Sequence, residues 1–447
     1  MRNKRKISVT KFKTFSLKQK VLLEWWVPTS KYCEKDGIIA DGSIRSGKTT
    51  VLSLSYVMWA MDTFSDENFA LCGKTIGSLR RNVIKPLKRM LLGRGYSVVE
   101  HRSENYMTVT LGNVSNDFYF FGGKDESSQD LIQGFTLAGV FFDEVTLMPE
   151  SFVDQATARC SVDGSKLWFT CNPSSPSHWF KVKWIDMRTE KNLIRVHFTM
   201  DDNPSLSERI KARYKASYVG VFFDRFILGL WVMAEGMIYP MYKEALINEL
   251  PKDKDGNPIK PKERYISVDY GTMNAFAAIL WEKYDNVWIA TRNYYYSGRD
   301  SGVQKTDDEY LQDMKEWLSD LLEPWKENRI AGYDARFCKI IIDPSAASFI
   351  ALLRKDGTFA VIKANNDVID GIRETGTAIK KGLIKVLSTC KDWIKEAEGY
   401  VWDNKSDEAE KPIKVNDHDM DATRYFVKTM HLVEKSMRKE PINNMYL

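Results

Sequence analysis

Apolar and polar positions in the first half of the chain fall into blocks that read as buried strands alternating with helices. Gly37-Ile38-Ile39-Ala40 is a short apolar run that predicts a strand, and residues 51–61 predict the helix that follows it. Further strands are predicted over residues 68–72, over Leu137-Ala138-Gly139-Val140-Phe141-Phe142, and over Leu167-Trp168-Phe169-Thr170. Continuous apolar runs of this kind suit strands covered on both faces, so the pattern predicts an α/β domain with a mostly parallel sheet. Around residues 250–261 the chain turns polar, charged and Pro-rich, which predicts a linker or exposed hairpin loop over 249–262 between domains at 1–248 and 263–435. The second domain opens with strand-like runs at 265–271, 275–281 and 287–296. An amphipathic helix over 307–322, a strand over 339–342 and a helix starting near Asn416 follow, and residues 436–447 form a tail.

Chemistry sits on the ends of these elements. Gly42-Ser43-Ile44-Arg45-Ser46-Gly47-Lys48-Thr49 is a complete G-x-x-x-x-G-K-[ST] loop between a strand and a helix. Its glycines let backbone N–H groups face a polyphosphate, Lys48 reaches the terminal phosphates, and Thr49 ligates Mg²⁺. The helix behind it adds a positive dipole end. The strand ending at Phe142 delivers Asp143 and Glu144, one suited to hold Mg²⁺ and the other to polarise a water. Thr170 and Asn172 stand at the next strand tip, as a γ-phosphate sensor, a coupling element or an ordinary turn. Arg45 is placed to act on its own nucleotide. Arg80 and Arg81, beside Lys85, Lys88 and Arg89, form a basic run that reads as a solvated face, a DNA contact or a finger toward a neighbour.

In the second domain Asp269 and Asp343 end two apolar strands, and Asp421 lies in the acidic helix start Asn416-Asp417-His418-Asp419-Met420-Asp421. Three acids from two strands and a helix follow the order of a ribonuclease-H-like metal nuclease. Carboxylates are hard oxygen ligands for two Mg²⁺ or Mn²⁺ ions. Helical spacing groups Asp417, His418 and Asp421 and turns Asp419 away. His418 is a further ligand, a proton shuttle, or only a helix-start residue.

Composition narrows the class without choosing a partner. At 447 residues, with 43% hydrophobic and 28% charged positions, two globular domains are expected. A net charge of +5 permits an anionic partner. The six cysteines show no C-x-x-C spacing, so neither disulfides nor a zinc site is expected and a reducing cytoplasm fits. No run approaches the ~20 apolar residues of a membrane span, and the basic start lacks the apolar core of a signal peptide.

Together these marks resemble the large terminase subunits of tailed bacteriophages, in particular those of phages and prophages of Gram-positive bacteria. The likeness runs from about Lys18 to Met430. It is carried by the phosphate loop with Arg45 inside it, residues 140–144, Thr170-Cys171-Asn172-Pro173, Val268-Asp269-Tyr270-Gly271, the stretch 366–373, and Asp417-His418-x-x-Asp421-Ala422-x-Arg424-Tyr425. The resemblance implies a RecA-like ATPase with an additional strand and a catalytic glutamate, joined to a ribonuclease-H-like nuclease. It implies ATP with Mg²⁺ at the first site, Glu144 activating water, and two Mg²⁺ or Mn²⁺ held by Asp269, Asp343 and Asp421 at the second. Double-stranded DNA, a portal protein, a small terminase subunit and a homo-oligomeric ring at the procapsid vertex in the host cytoplasm are the implied partners and setting. An adenine-contacting glutamine is expected near the N-terminus, where Gln19 is the candidate. The competing readings are a DNA repair or restriction motor, which calls for a second motor domain, and an ATP-switched DNA-binding protein without cleavage.

Overall fold

The computed structural model describes residues 14–271, 274–327, 336–403 and 410–439. They form two compact units, each with its own sheet. The first takes the described residues to Lys215 together with Val221–Met233; the second takes Ala216–Gly220 and the described residues from Ala234. The basic run at residues 1–6 lies outside the described residues.

The first unit is built on β1 (Gly37–Gly42), β2 (Asn68–Gly73), β3 (Ser97–His101), β4 (Tyr106–Leu111), β5 (Val114–Gly122), β6 (Gly139–Phe142), β7 (Lys166–Cys171) and β8 (Leu193–Phe198). Their spatial order is β3-β4-β5-β2-β6-β7-β1-β8. Five neighbouring pairs are parallel, and only β3/β4 and β4/β5 are antiparallel. One extra strand, β7, separates the phosphate-loop strand β1 from the acid-bearing strand β6. Because these strands run the same way, their carboxyl ends bring residues 42–49, 143–144 and 170–172 to one edge, where ligands of open α/β sheets bind. The two faces bury separate cores, one around Tyr56, Trp59 and Trp168 and the other around Phe142, Phe169 and Trp184. Gly139 is a packing requirement: a Cβ there would lie 2.7 Å from the Trp59 ring.

The second unit contains β9 (Leu246–Ile247), β10 (Arg264–Asp269), β11 (Ala275–Tyr284), β12 (Val287–Ser297), β13 (Cys338–Ile342), β14 (Phe359–Lys363) and β15 (Ile384–Leu387), in the order β14-β13-β10-β11-β12-β15-β9. Strands β10, β11 and β12 form an antiparallel meander, while β13 and β14 add to β10 in parallel. This is the ribonuclease-H-like arrangement, and Asp269 ends β10, the strand between β13 and β11.

Three expectations change. The domain boundary falls between Met233 and Ala234, upstream of residue 248, because β9 pairs with β15 and so belongs to the second sheet. The segment 249–262 is then an exposed loop within the second unit, closed by a Lys252–Pro258 bridge. The helix expected over 307–322 is two helices, Asp307–Trp317 and Ser319–Glu327, broken where Leu318 adopts φ −108° and ψ 11°. Leu311, Met314, Leu318 and Leu322 are all buried, so the apolar spacing runs on across the break and conceals it. Residues 436–439 are not a tail but the end of the helix Leu432–Lys439. All six cysteines are free. Among the described residues no helix is long and apolar enough to cross a membrane.

Candidate functional site

The phosphate loop leaves β1 through Gly42, whose φ is 125° and where a Cβ would lie 2.0 Å from the Phe198 carbonyl oxygen. Only glycine fits there. The loop ends at Gly47 (φ 85°), the N-cap of helix α2 (Lys48–Thr63). The buried Lys48 ammonium donates to the carbonyls of Gly42 (3.0 Å) and Ser43 (2.7 Å), to Ser46 Oγ (3.3 Å) and to Asn172 Oδ1 (3.2 Å). Burial pulls its pKa down to about 8 against the opposing acids. Asn172 Nδ2 donates to Glu144 Oε1 at 3.3 Å, so one amide spans from the loop lysine to the glutamate. Thr49 and Thr170 both donate to Asp143 Oδ1, at 2.9 and 3.1 Å, and the Glu144 N–H donates to Thr170 Oγ1 at 3.2 Å. Glu144 adopts φ 55°, a left-handed backbone that costs of the order of 1–3 kcal/mol for a non-glycine and gathers at working sites.

Burial first, and then the neighbouring Glu144 charge, push the Asp143 carboxyl up to about 6. A buried carboxylate held by hydroxyls and crowded by a second acid has the chemistry of a site that takes a divalent cation. The sign of its effect on folding follows. Its folded pKa lies above the unfolded value near 3.9, so its stabilising contribution is complete below about pH 4 and is lost as pH rises through about 6. Asp143→Asn is therefore expected to raise the melting temperature of the ligand-free protein at pH 8, by at most about 3 kcal/mol in stability, with no gain at pH 4. Calorimetry at the two pH values tests this; an equal gain at both would remove the electrostatic cause.

Arg45 has φ 57°, its carbonyl accepts from Asn203 Nδ2 at 2.7 Å, and its exposed guanidinium lies 5.4 Å over the Tyr214 ring. Arg80 is already committed: it donates to the Arg102 carbonyl and Asn105 Oδ1 and pairs with Glu100. Gln19, in helix α1 (Leu17–Glu24), forms a capping box with Ser16 and donates to the Ser46 carbonyl at 3.3 Å, so it braces the phosphate loop. Sequence reasoning missed Asp41. Fully buried under the loop, it accepts from Arg195 Nε (2.8 Å) and Nη2 (2.6 Å), Trp231 Nε1 (2.9 Å) and His197 Nδ1 (3.3 Å). Burial would raise its pKa, but these donors hold it well below the carboxylate range. Removing Arg195 would leave a buried charge unpaired, at about 3–5 kcal/mol. The available signal was an acid inside an otherwise apolar strand.

In the second unit Asp269, Asp343 and Asp421 converge on one side chain. The Tyr425 hydroxyl is pushed up by burial and by the charges of all three. Asp343 Oδ1 accepts from the Ser345 N–H (2.8 Å) and Oδ2 from Asn366 Nδ2 (3.0 Å). Asp421 pairs with Arg424 Nη2 (2.8 Å) and Lys414 Nζ (2.8 Å), and Lys414 also meets Asp417 at 2.9 Å. His418 Nδ1 lies 2.8 Å from Asp269 Oδ2, and this pairing raises its pKa against the burial that lowers it. Burial raises Asp269, with Asp421 and Asp417 adding repulsion. Among the described residues no three His, Cys, Asp or Glu side chains are grouped closely enough to hold an ion as they stand; His418 pairs with Asp269, and Lys414 and Arg424 pair with Asp421. Hard carboxylate oxygens that need cations fit Mg²⁺ or Mn²⁺.

Asp419 is turned elsewhere: fully buried, it accepts from Asn293 Nδ2 at 2.9 and 3.1 Å, and its N–H donates to Glu396. Arg424 was not assigned a role from sequence. It is buried, and it joins Asp421 to the carbonyls of Asn366 (2.9 Å) and Asp367 (3.1 Å). Asn366 in turn holds Asp343. Gly371 makes room for this arginine, since a Cβ would lie 2.3 Å from Arg424 Cγ.

Residues 39–245 match the family model described as "Terminase large subunit, T4likevirus-type, N-terminal". The large terminase of a thermophilic bacteriophage is 55% identical, with 94% of this chain and 99% of that one aligned at a TM-score of 0.84. The same protein in complex with ADP aligns at 0.82, with 54% identity over 93% of this chain and 100% of that one. The terminase large subunit of Salmonella phage P22 is 22% identical over 319 residues, 69% of this chain but only 59% of that relative's length. The chain belongs to the large terminase subunits of tailed bacteriophages.

Proposed function

We propose that this large terminase subunit hydrolyses ATP at residues 42–49, uses that energy to move double-stranded DNA into procapsids, and cuts the DNA at Asp269, Asp343 and Asp421. The observation that carries the motor half is the side-chain bridge from Lys48 through Asn172 to Glu144, beside Thr49 and Asp143. The solved complex of the thermophilic-phage relative with ADP supports a nucleotide at this loop. Lys48 exchanges its loop carbonyls for phosphate oxygens, Glu144 accepts the proton of the attacking water, and Thr170 and Asn172 report the state of the γ-phosphate. Thr49 and Asp143 would hold Mg²⁺, which supplies charge neutralisation at the phosphates.

Asp269, Asp343 and Asp421 would hold two Mg²⁺ or Mn²⁺ ions, which stabilise the attacking and leaving oxygens of a phosphodiester. Arg424 and Asn366 fix the relative positions of Asp421 and Asp343. His418 orients Asp269 as a charged partner, in preference to acting as a metal ligand. The portal protein, a small terminase subunit and a ring of copies on the procapsid vertex, within the bacterial cytoplasm, are the partners and setting this reading proposes. A linear-DNA cleavage assay in Mg²⁺ and a DNA-stimulated ATP turnover assay test the two halves; absence of either activity in the folded protein would remove that half.

Arg45 acts in cis on the γ-phosphate in this reading, leaving Tyr214 to do so. An arginine finger is worth ~10³–10⁵ in rate. Arg45→Ala is expected to cut turnover by at least ~10³ at every protein concentration, with nucleotide affinity changed less than about tenfold, or ~1.4 kcal/mol. Near-normal turnover by the variant would exclude the cis role.

A further inference from the structure

Residues 74–99 contain seven Lys and Arg and no Asp or Glu. The structure sorts these cations. Arg80 and Lys88 both pair with Glu100 on β3, at 3.4 and 2.8 Å. Arg81, Lys85 and Arg89 have no carboxylate within ion-pair distance among the described residues; Arg81 and Lys85 are exposed and Arg89 is half-buried.

These three side chains form a row, and the backbone is shaped to keep it straight. Helices α3 (Ile76–Leu79) and α4 (Lys85–Leu92) are joined by a π-helical turn, Arg80–Ile84, in which the Lys85 N–H donates to the Arg80 carbonyl. Pro86 explains the widening: it has no N–H for the carbonyl four residues back, and its ring crowds that carbonyl. In the wide turn a step of four residues stops short of a full revolution, and in the following α turn it overshoots. From Arg81 to Lys85 to Arg89 the two offsets cancel. The opposite face carries Val83, Ile84, Leu87, Met90 and Leu91 into the core, so the row is fixed outward.

We propose that Arg81, Lys85 and Arg89 form a track for the phosphate backbone of double-stranded DNA on the ATPase unit. The proposal rests on DNA being the substrate, as argued above, and adds where the motor touches it. Eight residues of helix span about 12 Å, against one phosphate per 3.4 Å of axis on each strand, so three cations meet one strand's phosphates in succession. A protein partner fits less well. Interface cores are depleted in charged residues and rich in aromatic ones, whereas Gly77, Ser78 and Asn82 surround this row.

The test uses the full chain, random-sequence duplex DNA, and chelator to prevent cleavage. Three phosphate contacts contribute a slope of about −2.7 to the dependence of log affinity on log salt, or roughly 40-fold between 50 and 200 mM. The triple variant Arg81→Gln, Lys85→Gln, Arg89→Gln is expected to lose that part of the slope equally on unrelated sequences, with DNA-free ATP turnover unchanged. The charge-keeping triple Arg81→Lys, Lys85→Arg, Arg89→Lys is expected to retain it. Arg80→Gln, which removes a bond to Glu100, is expected to change stability and not the slope. An unchanged slope in the folded glutamine triple overturns the track. If that variant instead loses only self-association, the row faces a second copy and the track is again overturned. A wild-type protein with no salt-dependent DNA binding would overturn the proposed function itself, a result distinct from either.

Discussion

Glu144→Gln is expected to reduce ATP turnover by roughly 10²–10⁴-fold, the usual worth of a general base, while leaving nucleotide binding intact. The glutamine keeps the volume of the side chain and its contact with Asn172 Nδ2, so the bridge to Lys48 survives and only the proton acceptor is lost. Lys48→Ala should differ in kind. It removes the cation that meets the phosphates, so affinity and turnover fall together, as expected when ground-state and transition-state contacts are lost at once. Equilibrium binding of a fluorescent ATP analogue beside steady-state turnover separates the two. A Glu144→Gln protein that binds poorly would make the residue a structural support of the left-handed turn after β6. One that turns over normally would move the base elsewhere.

The legible parts of this chain were those where a local pattern and a local chemistry coincide. The phosphate loop needs its glycines, lysine and threonine in consecutive order, and Asp143, Asp269 and Asp343 stand where apolar strands stop. What stayed hidden was mostly long-range. The meander β3-β4-β5 places half-buried strands on the edge of a parallel sheet, where the apolar signal is weak. The boundary before Ala234 depends on a two-residue strand pairing with β15 more than a hundred residues later, and no composition shift marks it. Asp41 and Arg195 lie on neighbouring strands far apart in sequence, so their ion pair exists only once β1 and β8 are adjacent. Arg424 and Asn366 illustrate the intermediate case. Their stretches were conspicuous, yet the reason is the three-dimensional tie from Asp343 to Asp421.

Asp421→Asn and Asp343→Asn are each expected to lower metal-dependent DNA cleavage by about 10³-fold or more, since ions at such sites supply several kcal/mol of charge stabilisation and 1.4 kcal/mol is a decade. Asp419→Asn should stay within a few-fold of wild type, although it is only two residues from Asp421. Burial and the neighbouring Glu396 push the Asp419 carboxyl far above its usual range, which disfavours its charged form, so an isosteric amide is a mild replacement there. Alanine would be a poorer probe there, because it leaves the Asn293 amide unpaired in the core at about 1–3 kcal/mol. Arg424→Lys falls between these limits. It keeps the charge beside Asp421 but loses the fork that also grips residues 366 and 367, and disturbed support of a metal ligand typically costs 10–100-fold. Raising the Mn²⁺ concentration should recover part of that loss, as it should not for Asp421→Asn, and ATP turnover should remain normal throughout. Should Asp419→Asn abolish cleavage as Asp421→Asn does, or should Arg424→Lys resist rescue by metal, the division of the helix His418–Thr429 into a ligand, Asp421, and its support, Arg424, with Asp419 outside both, would fail.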